Sequence, residues 1–394
     1  MVESEQDVAL QDTDRIEGRS ALVNNTNAAI ALAGAVRSTL GPRGSDKMLV
    51  DENGEIVVTN DGVTVLETAK VEHPTANLLI ATSSAQDRIA RDGTTTSVLL
   101  TAELLRNALE LSRIGVHPTI IMNGYRIAVE ESLTQLEEIS RDASDDDLIA
   151  TTATTMAGKI DTVLAKKMTS LALEAARALE NEEGGDDLER IRVKRLQMAG
   201  GGAAESEIIH GLMLKKQRLD FTTDSHSEGG KIAIIDGGFE NRELELDAQI
   251  EIRNTGVLSG FQERKRAKLA EQVTRLSSLG IDLLCVRDGI ADEAVPLLKA
   301  AGITTYRRFE REDLERLSIL TGAKMVRDAD RMSAGDVGTY TKRAAEKIDD
   351  AWHVRIDGEG RAMTALLRGT TSTMREEVSR TFDDALGVAF RLVR

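Results

Sequence analysis

Between residues 216 and 361 short apolar runs alternate with helical ones, and this alternation narrows the fold more than any other feature of the chain. Residues 231–235, 244–252, 283–286, 303–306 and 324–326 read as strands, and residues 290–301 and 312–320 as helices. Strands joined by helical crossovers imply an α/β domain. The residues ahead of it keep a different period. Residues 19–39, 74–90, 97–111 and 119–139 read as helices. Ala29, Leu32, Ala33, Val36 and Leu40 form one stripe at helical spacing, and Leu99, Leu100, Leu104, Leu105 and Leu109 another. Ile120, Ile121, Tyr125, Ile127, Ala128 and Leu133 form a third. Two short strands, 47–50 and 56–59, interrupt this helical half around the turn Asp51-Glu52-Asn53-Gly54. At 394 residues the chain has room for two or three domains.

A net charge of −16 argues against nucleic acid as the main partner. Arginine outnumbers lysine, which with the acidity points to a salt-adapted source. The single cysteine, Cys285, lies in the apolar run 281–286 and reads as a buried, inert thiol in a reducing setting. The acidic start Met1-Val2-Glu3-Ser4-Glu5 is not a signal peptide, and no apolar run reaches membrane-spanning length. The expectation is a cytoplasmic protein with no membrane partner.

The stretch with the most chemistry is Asp92-Gly93-Thr94-Thr95-Thr96, between two helical runs. A helix start offers unpaired N–H groups and a positive dipole end, which suit phosphate. Glycine allows close approach, threonine hydroxyls donate to phosphate oxygens, and a carboxylate can hold magnesium. Taken alone, the stretch also reads as an ordinary N-cap. Asn60-Asp61-Gly62 is a second acidic turn beside a glycine, and Leu40-Gly41-Pro42-Arg43-Gly44 is a glycine-proline helix stop. Asp61 and Asp92 would suit a magnesium-phosphate site if the fold brings them together. His117 stands alone before Pro118 and reads as structural.

Residues 142–147 form an acidic break. A helix is expected next, with Met156-Ala157-Gly158-Lys159 in its early part, and residues 160–179 are strongly helical. Lys159 on its own is equally a solvated lysine. Residues 191–196 and 362–367 read as strands, Gly200-Gly201-Gly202 as a linker or hinge, and the segment around Phe382 to Val388 as a last helix. Residues 253–261, with Val257, Leu258 and Phe261, read either as a surface loop or as an exposed apolar contact followed by a basic helix.

Several of these motifs occur together in one family. Thr39-Leu40-Gly41-Pro42-Arg43-Gly44 with Asp46-Lys47-Met48-Leu49 resembles the phosphate loop of chaperonins. Val58-Thr59-Asn60-Asp61-Gly62-Val63-Thr64 is similar to their second signature. Glu72-His73-Pro74, Asp92 to Thr96 and His117-Pro118-Thr119 keep the family's order and spacing. The chain thus resembles the group II chaperonins (thermosome type). The resemblance implies a multi-domain α and α/β fold. An α-helical equatorial domain would take residues 1–141, a mixed α/β intermediate domain residues 142–211 and 362–394, and an α/β apical domain residues 212–361. A helical protrusion near 253–270 would form a built-in lid.

It also implies an ATP-driven folding chaperone that uses Mg2+, with unfolded proteins and the other subunits of a homo- or hetero-oligomeric double ring as partners. By resemblance, Asp61 and Asp384 would act on the attacking water and Asp92 would hold magnesium. Leu40, Gly41, Pro42, Gly62, Gly93, Thr94, Thr95 and Thr96 would cradle nucleotide, Lys159 would sense the γ-phosphate, and Val257, Leu258 and Phe261 would touch client or lid. Three departures stand out. Asp383 occupies a position where the family usually has glutamate, and Arg91 one where it has glycine. The family also continues beyond the position of Arg394, so a C-terminally shortened chain is expected. The last two departures would favour a non-hydrolysing paralogue that binds unfolded protein or modulates full-length chaperonin.

Overall fold

A computed structural model describes residues 18–394, apart from Pro42, 51–53, Glu55, Lys70, 158–159, Asp186, Phe221, Thr223, 241–254 and Asp349; for 255–262 it describes the backbone. The hairpin turn at 51–53 and the whole strand expected at 244–252 lie outside the described residues, as do Pro42 and Lys159. The chain divides into two compact units, Met1–Ala165 and Lys166–Arg394.

In the first unit, α1 (Gly18–Val36) tightens into a 3-10 turn, Arg37–Thr39. Strands β1 (Lys47–Val50) and β2 (Ile56–Thr59) pair antiparallel, Lys47 opposite Thr59. Helices α2 (Gly62–Thr68), α3 (Pro74–Ala90), α4 (Thr94–Arg113), α5 (Pro118–Ile139) and α6 (Asp145–Thr154) follow. Proline opens α3 and α5, where its missing N–H costs nothing. The histidine before each proline is the N-cap, Nδ1 of His73 and His117 accepting from the N–H of Thr75 and Thr119 at 3.2 and 3.3 Å. His117 is therefore structural, as its isolation in the sequence implied.

The core of this unit joins the stripe Ala29, Leu32, Ala33 and Val36 to Leu66, Leu79, Val98, Leu99 and Ala102. Several expected core positions are displaced. Leu40 leaves the stripe, because the helix ends and the chain turns extended there (φ −71°, ψ 131°), and it is exposed. Leu100 and Leu104 are exposed because the buried side of α4 is the one carrying Val98, Ala102 and Leu109. On α5 only Ile121 is buried, and Ile120, Ile127 and Leu133 are exposed.

The acidic break starts α6 through a capping box. Ser144 Oγ accepts from the N–H of Asp147, and Asp147 accepts from the N–H of Ser144. The helix expected to hold Met156 in its early part instead ends at Thr154. Asp161 caps the next helix, accepting from the N–H groups of Val163 and Leu164 at 2.9 and 3.0 Å. Residues 155–161 therefore connect two separately capped helices.

The second unit begins inside α7 (Thr162–Leu179) and continues with α8 (Leu188–Arg192), β3 (Val193–Met198), β4 (Glu207–Ile209), β5 (Leu212–Leu214), β6 (His226–Ser227) and β7 (Gly230–Ile235). Then come α9 (Thr255–Ser278), β8 (Leu283–Val286), α10 (Val295–Ala300), β9 (Thr304–Tyr306), α11 (Arg311–Thr321), β10 (Met325–Val326) and β11 (Gly338–Tyr340). The chain ends with β12 (Lys342–Ile348), β13 (Ala351–Asp357), β14 (Met363–Arg368) and α12 (Ser372–Val393). The strand expected from 191 starts at Val193, after a short helix.

β10, β7, β8 and β9 lie side by side and parallel, with β11 antiparallel to β7, which is the α/β sheet the alternation implied. Its two faces are both buried. Ile232, Ile234, Leu283 and Cys285 meet Leu314 and Leu317 of α11 together with Val354 and Ile356 of β13. Ala233, Ile235, Leu284 and Val286 meet Leu269, Val273 and Leu276 of α9. Near-continuous apolar strands are what burial on both faces demands. β5, β13, β12 and β6 form an antiparallel sheet. β14 pairs parallel with β3 and antiparallel with β4, and α12 packs on β3 and β14 through its buried face, which includes Phe382, Leu386 and Phe390.

Candidate functional site

Four chain turns of the first unit meet around a cavity of about 250 Å3. The exit of α1 supplies Thr39, Leu40 and Gly41, and the exit of β2 supplies Asn60, Asp61 and Gly62. The α3–α4 turn supplies Asp92 and Gly93 to Thr96, and the chain after α6 supplies Thr155 and Ala157. The structure thus brings Leu40, Gly41, Asp61, Gly62, Asp92, Gly93, Thr94, Thr95 and Thr96 together, from stretches far apart in sequence.

Two helix starts converge here. Asp61 is the N-cap of α2, its Oδ2 accepting from the N–H of Thr64 at 2.9 Å and from Thr64 Oγ1 at 2.7 Å. Oδ1 of Asp61 takes no hydrogen bond among the described residues. Gly93 caps α4 in the left-handed region (φ +75°), where glycine is at ease. It has no side chain to accept from the first turn. The N–H groups of Thr94, Thr95 and Thr96 consequently have no partner among the described residues, and the first backbone bond is Ser97 N–H to Gly93. The three threonines lie inside the first turn of α4, not ahead of it. Asp92 Oδ1 accepts from the N–H of Gly93 at 2.7 Å, which holds the carboxylate at the helix start.

Gly62 is a packing requirement. A Cβ there would lie 2.2 Å from Thr95 Oγ1, so glycine lets the starts of α2 and α4 approach. Asn60 Oδ1 is buried in the cavity wall with no partner among the described residues. The unclaimed N–H groups at the start of α4 suit a phosphate-bearing ligand. Among the described residues no three His, Cys, Asp or Glu side chains cluster as metal ligands. A single carboxylate such as Asp92 with substrate phosphates is how magnesium is ordinarily held.

Arg91 is not among the lining residues. It caps α3 in the left-handed region (φ +59°), a conformation costing a non-glycine residue roughly 1–2 kcal/mol. Its buried guanidinium pairs with Asp87 at 3.4 Å. Burial pushes the Asp87 carboxyl up, Arg91 pulls it back, and the nearby Asp61 charge adds to the rise.

Asn60, Thr39, Thr154, Thr155 and Ala157 line the cavity but escaped the sequence reading. Asn60 stood inside the acidic turn and the second family signature without a role of its own. The pair Thr154-Thr155, directly ahead of Met156-Ala157-Gly158-Lys159, was a signal available in the sequence. Asp384 lies in the second unit, half-buried on α12. Its neighbour Asp383 accepts from Arg195 Nε and so ties α12 to β3. The side chains of Val257, Leu258 and Phe261 lie outside the described residues, while the backbone there is the start of α9.

Residues 32–394 match the model of the TCP-1/cpn60 chaperonin family. The alpha thermosome subunit of Methanothermobacter thermautotrophicus is 37% identical over 381 residues, covering 96% of this chain and 70% of its own length. The beta thermosome subunit of Archaeoglobus fulgidus is 38% identical over 386 residues, covering 95% and 70%. The alpha thermosome subunit of Thermoplasma acidophilum is 34% identical over 385 residues, covering 97% and 71%. These matches agree with the order of the short motifs, and the chain belongs to the TCP-1/cpn60 chaperonin family, in its group II, thermosome-type branch.

Proposed function

We propose that this chain is a folding subunit of a group II chaperonin that binds and hydrolyses ATP at the cavity between the starts of α2 and α4. The observation that carries the reading is the set of unclaimed N–H groups at Thr94, Thr95 and Thr96, beside Gly62 and two carboxylates. Those donors would take phosphate oxygens, aided by the positive end of α4. Leu40, Gly41 and Pro42 would lie along the nucleotide, and Asp92 would hold Mg2+. Magnesium, when bound, would offset negative charge on the phosphates.

Asp61 has one committed oxygen and one uncommitted oxygen. Thr64 fixes Oδ2, so Oδ1 is the atom that would accept a proton from an attacking water. Asp384 would share that task and Lys159 would sense the γ-phosphate; both roles rest on resemblance. Residues 1–141 would serve as equatorial domain, 142–211 and 362–394 as intermediate domain, and 212–361 as apical domain. The start of α9, with Val257, Leu258 and Phe261, would contribute to a lid over unfolded protein. Copies of this chain or related subunits would complete a double ring in the cytoplasm. ATP would act by binding one domain arrangement more tightly than another.

The test is ATP turnover by the 394-residue protein, beside Asp61→Asn and Asp384→Ala. Asparagine still caps a helix, so Asp61→Asn separates chemistry from folding. The expected result is a loss of turnover of about 100-fold or more in each variant, with nucleotide affinity nearly unchanged. Turnover that survives both substitutions, or no stabilisation of the wild type by ATP, would overturn the reading.

A further inference from the structure

Arg343 sits at an inward position of β12. It is opposite Ile356 on one side and Ser227 on the other, and it is only 3% exposed. The strand alternates here, and the next inward position, Ala345, belongs to the apolar core. A guanidinium in such a place cannot shed its charge, so burial calls for a partner. None is supplied. Nε and Nη1 of Arg343 have no hydrogen-bond partner, and no carboxylate pairs with the group among the described residues. The groups that feel its charge are Cys285, Tyr306 and Tyr340, whose ordinary states are neutral. The Tyr306 hydroxyl lies beside the guanidinium but outside good hydrogen-bond geometry.

Arg343 lines a cavity of about 380 Å3 at the edge of the parallel sheet, together with Lys299, Thr304, Asp224 and Asp282. Neither acid forms an ion pair with it among the described residues. Asp282 Oδ1 accepts from the N–H of Lys231 at 2.7 Å, and Oδ2 accepts from the Tyr340 hydroxyl. Asp224 is exposed and forms no ion pair among the described residues. Lys299 adds a second cation at the rim, shared with Asp220 at 3.2 Å.

We propose that this cavity is a binding site for a carboxylate, seated on Arg343 and Lys299. A planar carboxylate matches the guanidinium fork. Asp224 and Asp282 in the same wall disfavour a dianionic phosphate and leave the singly charged group as the better fit. The carboxylate is that of a free small acid or of an acidic side chain on a bound polypeptide. The site lies in the second unit and does not rest on the nucleotide reading.

The experiment is calorimetric unfolding of the full chain at fixed ionic strength, with chloride replaced stepwise by acetate, by inorganic phosphate, or by the blocked peptide acetyl-Gly-Glu-Gly-amide. It is repeated on Arg343→Met and Arg343→Lys. Acetate is expected to stabilise the wild type saturably, to act at least tenfold more weakly on Arg343→Lys, and to have no effect on Arg343→Met. Stabilisation by acetate alone assigns the site to small acids, and stabilisation by the peptide as well assigns it to acidic side chains. Three results would overturn the proposal: no acetate effect on the wild type, an equal effect on either variant, or an Arg343-dependent effect of phosphate with none of acetate. Should Arg343→Met fail to fold, the lysine variant carries the test.

Discussion

Gly62 shows how one missing methyl group shapes the first-unit cavity. Its φ is negative, so backbone freedom is not the reason for glycine. Space is the reason, since Thr95 Oγ1 occupies the place of a Cβ. Gly62→Ala is expected to destabilise the protein by about 1–2 kcal/mol through overpacking. Thr95→Ala should return most of that loss, because it removes the atom in the way. A urea double-mutant cycle measures the coupling, and additive effects would mean that the two helix starts do not touch. Arg91 carries the opposite lesson. The sequence placed a cation beside the acidic turn, whereas the fold turns it onto Asp87. Cys285 is as inert as its apolar neighbours implied, its thiol pushed up to about 12 by burial.

At the scale of elements, α6 depends on its first turn. Two guanidinium nitrogens of Arg141 reach the Asp147 carboxylate at 2.7 Å each, and Ser144 donates to it from Oγ and N–H. These bonds, Arg141 foremost, hold the Asp147 carboxyl well below its ordinary 3.8. A carboxyl depressed in the folded state stabilises above its unfolded value, and that stability is lost as pH falls. The wild type should therefore be more stable than Asp147→Asn at pH 7, and the gap should close as pH drops below about 4. Urea unfolding at a series of pH values checks this, and a gap that stays constant would exclude the carboxylate as its source. β12 is the element the sequence concealed. Lys342 to Ile348 reads Lys-Arg-Ala-Ala-Glu-Lys-Ile, mostly good helix formers. Seven register pairs with β13 outweigh that preference.

For the whole molecule, the charge of −16 sets a general term. Like charges on a compact chain repel, and salt shortens their reach from roughly 10 Å at 0.1 M to about 3 Å at 1 M. The melting temperature should rise between those two KCl concentrations, and a fall would show that attractive surface pairs outweigh the net repulsion. No helix among the described residues is long and apolar enough to cross a membrane.

Local pattern determined most of the elements. Helical apolar spacing marked α1, α4 and α5, and the apolar runs at 231–235 and 283–286 became β7 and β8. Proline, glycine and acidic caps marked the starts, because capping is a matter of a few consecutive residues. The same local reading located the two acidic turns but could not join them. Only the tertiary structure brought Asp61, Asp92 and Thr155 to one cavity, placed Leu100 and Leu104 at the surface, and buried Arg343 without a partner among the described residues. Periodicity states that a helix has an apolar side, whereas the packing of distant segments decides which residues that side meets. The two starts of α2 and α4 converge because Gly62 meets Thr95 across 33 residues of chain, a contact that no local window contains.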